Sequence, residues 1–420
     1  MESAGTVEHT PVVVNGRDYV LAAARSGESV LVRTDGSQAG TLILQRFCVA
    51  PRCTGRPRLR AFGTRLLATT DGAAGEIYAS EPGRERLTRR FGARSSKEHW
   101  RTFVSRGSIY VARSAGATSQ DSWTLWRADL RHNTLVRVVR HRFGSPVDLM
   151  RTDNGMLLGA VDRKHPARKS LWAIRGGQAT RIGAFGSGGP LLTKIAPDQY
   201  LFGGFDRDHG NEPWLTDGSK QGTRRLSDFA PGAADSTAES YVASDGRVYA
   251  RISGAGGTRG RIIHVGADGA FSTLAEGAFY ALTGAAGGRT IVRGDGTPEY
   301  LDLNSGTRTP IANVPVGTNA LPVGARVIWS TRDELWTSDG TPNGSTRLRS
   351  FGYPGCNRCD PGISELAIVG DRAYFVADPG DLWATDGTDA GTVPLSRYAT
   401  DRSRASQNVV RAPSERPTDQ

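Results

Sequence analysis

One short segment returns four times along the chain, and that recurrence restricts the fold more than any bulk property. The copies are Val30-Leu-Val-Arg-Thr-Asp-Gly-Ser37, Pro213-Trp-Leu-Thr-Asp-Gly-Ser219, Glu334-Leu-Trp-Thr-Ser-Asp-Gly-Thr341 and Asp381-Leu-Trp-Ala-Thr-Asp-Gly-Thr388. A second Gly follows each copy, and an aromatic residue stands 15 positions beyond each Trp or its equivalent: Val32 to Phe47, Trp214 to Phe229, Trp336 to Phe351 and Trp383 to Tyr398. Leu335 and Thr337 alternate with Trp336 and Ser338, the period of two of a pleated strand. The pairs Asp217-Gly218, Asp339-Gly340 and Asp386-Gly387 reverse the chain, because Asp tolerates and Gly occupies the left-handed backbone region. Each copy therefore reads as strand, tight turn, strand.

Weaker copies extend the series. With anchors at Val32, Tyr78, Trp126, Trp172, Trp214, Val265, Leu301, Trp336 and Trp383, the mean spacing is about 44 residues, the period of a four-stranded propeller blade. Upstream of each anchor lies a second hairpin signal, a turn residue followed by alternating apolar residues. The turn residues are Gly16, Gly63, Gly107, Gly155, Asp198, Gly246, Gly288, Gly324 and Gly370. Two hairpins per repeat make four antiparallel strands, so the expected fold is all-β, a propeller of nine blades with eight as the alternative. Residues 11–398 form one domain on this reading, between a flexible start (1–10) and a disordered basic tail (399–420). The ring is expected to close by packing whole blades, with Trp336 and Trp383 buried between them.

The copies at Glu334 and Asp381, together with Gly210-Asn-Glu-Pro-Trp214 and Pro231-Gly232, are similar to the bacterial ELWxxDGT repeat. The resemblance implies export and a propeller-like fold. It carries over no catalytic residue, because the motif positions are structural. Tyr78 and Leu301 stand in copies that lack both the Trp and the Asp-Gly pair.

Four cysteines form two close pairs at the same phase of the repeat, Cys48 with Cys53 and Cys356 with Cys359. Two local disulfides suit an oxidising compartment and need no contact between distant blades. Free or redox thiols and a four-thiolate zinc site are the alternatives, although the first pair is spaced wide for zinc.

No catalytic signature is present: no Gly-x-Ser-x-Gly, no His-Glu-x-x-His and no phosphate loop. No cofactor is expected, with one candidate set aside for calcium: Asp206, Asp208 and Glu212 place oxygens at alternate positions of a turn. The formal charge of +11 raises a polyanionic partner, yet acidic residues are interspersed and the basic ones are read as solvated outer strands and loops. No apolar run approaches the roughly 20 residues that span a bilayer. Met1 to Val14 shows no basic segment followed by an apolar one, so the cell surface is inferred from the repeat and the paired cysteines, with the cytoplasm left open. The expectation is a monomeric, non-catalytic binding or scaffold module for a protein or glycan at the cell surface. A propeller hydrolase or lyase with its site at the channel mouth is the alternative, and nucleic-acid binding ranks third.

Overall fold

The computed structural model describes residues 11–396 apart from short internal stretches, the longest being 48–56, 312–319 and 352–362. The segments 1–10 and 399–420 lie outside the described residues. Thirty-seven strands are present and, among the described residues, no helix, hence none that could cross a membrane. Thirty-six of the strands form nine antiparallel sheets of four strands taken in chain order, a nine-bladed propeller, and the remaining one, Gly72–Ala73, adds to the third sheet. Successive blades begin with Val12–Val14, Arg58–Phe62, His99–Ser105, Pro146–Thr152, Thr193–Ala196, Ala238–Ser244, Ala281–Ala286, Ala320–Val323 and Ser364–Val369. First strands contact one another between blades 1 and 2, between 3 and 4, and from blade 6 through blade 9, which places them at the inner edge of the blades.

The core is a series of layers between blades. Val14, Tyr19 and Leu31 of blade 1 pack on Leu59, Leu66 and Leu87 of blade 2. Leu67 and Ile77 of blade 2 pack on Trp100 and Val111 of blade 3. The series continues through every interface to Leu335 and Leu348 against Phe375, and closes with Val20, Val30 and Val32 of blade 1 against Tyr374, Leu382 and Leu395 of blade 9. No strand is exchanged at this seam among the described residues, so the ring closes by packing whole blades as expected.

The Leu-Trp pair of the repeat has a geometric reason. The third strand carries a register shift at Leu335/Trp336, Leu382/Trp383, Leu171/Trp172 and Leu31/Val32, a bulge that sharpens the local twist. The Leu side chain enters the layer toward the next blade and the Trp lies toward the preceding one: Leu335 meets Phe375, whereas Trp336 meets Trp329. Leu335 and Leu382 are fully buried. Trp336 and Trp383 are only half-buried, short of the burial between blades expected from the sequence. Trp336 stacks on the fully buried Trp329 (6.2 Å between centroids) and Trp383 on Phe375 (6.3 Å). In blade 6 the bulge falls at Ile262/Ile263, so Ile263, two residues before the expected Val265, is the structural anchor.

A second recurrent element joins blades. The second strand opens with Arg-x-Tyr at Arg17-Asp-Tyr19, Arg247-Val-Tyr249 and Arg372-Ala-Tyr374, and both side chains reach the following blade. Arg17 Nη1 and Tyr19 OH donate to Glu85, each at 2.9 Å. Arg247 Nη2 donates to Asn304 at 2.5 Å and Tyr249 OH to the Leu303 carbonyl at 3.1 Å. At the seam Arg372 Nη1 donates to the Asp35 carbonyl at 2.6 Å, and Tyr374 OH donates to the Asp18 carboxylate. Burial and then the bond to Glu85 push the Tyr19 phenol up to about 12.

Candidate functional site

The topology gives the ring two unlike faces. On one, the turn between first and second strands is two residues long in all nine blades, from 15–16 to 370–371. Most of these turns carry a residue of positive φ, such as Gly16 (73°), Asp198 (51°) or Gly370 (59°), whereas the turn at 153–154 of blade 4 does not. On the other face the chain passes from second to third strand and from each blade to the next, and these segments vary. The links between blades differ in length, as 93–98 and 138–145 do, and the inner loops run from 207–209 to 115–123. The first is called the turn face here and the second the connection face.

The Asp-Gly residues singled out by the repeat lie on the turn face and build a self-contained turn. Asp217 accepts from Ser219 N (2.7 Å), Asp339 from Thr341 N (2.9 Å) and Asp386 from Thr388 N (2.9 Å). Thr216 pairs with Thr223 (2.7 Å) and Thr385 with Thr392 (2.8 Å) across the same turns. The second Gly of the repeat is required because a Cβ at Gly222, Gly344 or Gly391 would collide with the Asp carboxyl. Gly340 lies outside the described residues. Trp126, Trp172 and Trp214 are half-buried like the other two repeat tryptophans, and Trp126 Nε1 donates to Thr124 (2.9 Å). All of these positions hold the scaffold together.

Their carboxylates set a pH response. Hydrogen bonds from Ser37 hold Asp35 low, and bonds from Thr341 hold Asp339 low. At Asp217 and Asp386 burial opposes ionisation but the bonds from Ser219 and Thr388 outweigh it. A carboxyl depressed in the folded state contributes stability above its unfolded pKa and loses it as pH falls through the folded value. Burial acts oppositely at Asp71, Asp148 and Glu212, whose raised carboxyls favour the fold at lower pH and weigh against it as pH rises through their folded values. Melting temperature is therefore expected to peak at mildly acidic pH and to fall below about pH 4. Thermal melts between about pH 8 and pH 3 check this; a steady rise to the acid end contradicts it.

Asp206, Asp208 and Glu212 do not converge on an ion site. Asp206 accepts from Asp208 N (2.9 Å), His209 N (2.8 Å) and His209 Nδ1 (2.9 Å), and pairs with Arg225 at 3.3 Å. Glu212 is fully buried and turned toward the link into blade 6, where it accepts from Ala230 N (3.0 Å), Phe229 N (3.2 Å) and Ser236 Oγ. Alternate residues of a strand share a face only while the strand is straight, and here a turn at 207–209 separates the carboxylates. Among the described residues no three His, Cys, Asp or Glu side chains group as a metal site. Cys48, Cys53, Cys356 and Cys359 lie outside the described residues.

The connection face also holds a feature that the repeat did not signal. In blade 2 the loop after Arg65–Thr70 contributes a two-residue strand, Gly72–Ala73, which adds to the inner edge of blade 3 opposite His99 and Trp100. Asp71 accepts from Thr102 N at 2.8 Å. Burial raises its carboxyl, opposed by that bond and by Arg58 and Arg101. Arg101 Nη1 donates to the Pro146 carbonyl of blade 4 at 2.8 Å. One blade further, Asp148 accepts from Leu149 N (2.7 Å) and Leu192 N (2.9 Å). Charged groups of blades 2, 3 and 4, namely Asp71, Arg58, Arg101 and Asp148, thus stand on or beside the first strands of successive blades.

No family model matches the chain, and no curated protein matches it. Among solved structures it resembles the computationally designed Ika8 protein, at 12% identity over 79% of this chain and 96% of the other with a TM-score of 0.44. It also resembles puromycin hydrolase, at 17% identity over 89% of this chain and 58% of that one with a TM-score of 0.43. A third is the β-propeller domain of the Trilobed protease from Pyrococcus furiosus, at 12% identity over 82% and 98% with a TM-score of 0.41. No residue of these proteins is carried over to this chain.

Proposed function

We propose that the chain is a non-catalytic binding or scaffold module that presents the connection face to a protein or glycan at the cell surface. The carrying observation is the contrast between faces: two-residue turns between first and second strands on one side, and links and loops of differing length on the other. Variable loops positioned by a rigid frame are where binding residues accumulate, and the clasps and layers between blades supply the frame. A protein or glycan ligand is expected to lose binding when residues 115–122 are replaced by a short Gly-Ser turn, and to keep it when Ser37 and Gln38 of the turn face are changed. Binding on a glycan array or to a purified protein, without turnover, is the expected result. Hydrolytic or lyase turnover of a bound polymer overturns the reading.

The inner edge supports the second reading, a propeller hydrolase or lyase at the mouth of the ring. Asp71 and Asp148 are carboxyls raised by burial, the state a general acid needs. Turnover that Asp71→Asn or Asp148→Asn abolishes while the melting temperature holds is the result that selects it.

A further inference from the structure

We propose that the junction of blades 3 and 4 on the connection face binds an anionic polysaccharide through its arginines. The formal charge is not spread evenly. Residues 127–181 hold twelve Lys and Arg against four Asp and Glu, a balance of +8 out of the chain's +11.

The four acids of that stretch are engaged locally or elsewhere. Asp129 caps its own turn through Arg131 N (2.9 Å) and the His132 ring (2.8 Å). Asp148 faces the inner edge, and Asp153 pairs with Arg106 on the turn face. Asp162 pairs with Arg181 at 3.1 Å. The link 138–145 is pinned between the blades by the paired backbone of Trp123 and Phe143 (2.9 and 3.0 Å) and by Val161 N to the Ser145 carbonyl (2.8 Å). A Cβ at Gly144 would stand 3.2 Å from the Arg163 side chain. Gly144 therefore sets the link beside the exposed Arg163, with the exposed Arg140, His141 and Arg142 two to four residues before it.

The same spot carries aromatic surface. The His141 ring lies 4.4 Å from the half-buried Trp172 ring and 4.9 Å from Phe143. Guanidinium groups pair bidentately with carboxylate or sulfate groups, and an aromatic edge between them suits the apolar face of a sugar ring. Reading a nucleic acid calls for a helix or ribbon in the groove or a row of stacking platforms. The described residues of this junction offer one aromatic cluster and no helix. An anionic glycan is the better fit.

This inference rests on the glycan arm of the proposed function, and the test separates the two. Binding of the full chain to heparin, polygalacturonate, neutral dextran and duplex DNA is measured with a triple variant, Arg140→Glu, Arg142→Glu and Arg163→Glu. The control carries Arg84→Glu, Arg86→Glu and Lys220→Glu, the same charge change at exposed sites on other blades. Heparin or polygalacturonate is expected to bind the unmodified chain, weakening as salt rises. The junction variant is expected to lose roughly tenfold or more in affinity and the control far less, with melting temperatures unchanged. Equal losses in both variants overturn the surface while leaving a glycan-binding module. Binding of dextran alone overturns the anionic ligand but not the module. Tighter binding of DNA through the same arginines overturns the ligand class, and absence of binding to all four overturns the inference together with the glycan reading beneath it.

Discussion

Trp329→Ala is expected to destabilise the protein by about 3–5 kcal/mol, the usual effect of truncating a large buried aromatic. Trp329 is completely buried in the layer between blades 7 and 8, against Ile291, Tyr300 and Val327 and beneath the Trp336 ring. Rigid strands on both sides prevent the hole from closing, so both the transfer and the cavity contributions apply. Trp336→Ala and Trp383→Ala are expected to have smaller effects, about 1–3 kcal/mol, because those rings keep part of their surface in water. Denaturant melts of the three variants give the order directly. A Trp383→Ala loss equal to or larger than that of Trp329→Ala contradicts the assignment of which tryptophan fills the core.

Glu212→Ala is the second large effect. The carboxylate is fully buried and accepts Phe229 N, Ala230 N and Ser236 Oγ from the link into blade 6. The same link is held by Ser236 N on the Asn211 carbonyl (2.7 Å) and by Asp235 accepting from Asn211 N (2.8 Å). Truncation leaves buried donors without an acceptor, which costs about 2–4 kcal/mol. Glu212→Gln retains one accepting oxygen and is expected to lose less than half as much. Proteolysis or hydrogen exchange across residues 226–236 localises the effect. An unchanged melting temperature in Glu212→Ala contradicts the staple.

The parts legible in the sequence were those whose partners are close along the chain. The Asp-Gly turn bonds to residues two to seven positions away, so spacing alone displayed it. The Leu-Trp pair was visible as a pattern, but its division between two layers depends on the bulge, which alternation does not predict. The same bulge explains the displaced anchor of blade 6, where Ile263 replaces the aromatic and Val265 mimics its phase. The Arg-x-Tyr clasp went unread because its partners are remote: Arg17 and Glu85 are 68 residues apart, Tyr374 and Asp18 are 356 apart. The inner strand Gly72–Ala73 has only two residues and no periodicity to detect. Glu212 illustrates the opposite error, in which a linear spacing of oxygens suggested an ion and the fold turned one of them toward a link 17 to 24 residues downstream.

The closed nine-bladed ring depends on contact between blades 9 and 1. Its most direct test is a double-mutant cycle on Asp18→Asn and Tyr374→Phe, two residues that touch only if the ends of the ring meet. A charge-assisted bond at the seam predicts a favourable coupling of about 1–2 kcal/mol between the two substitutions in unfolding free energy. Strictly additive effects, with coupling within about 0.3 kcal/mol of zero, would show that the first and ninth blades do not pack together and would contradict the closed nine-bladed ring.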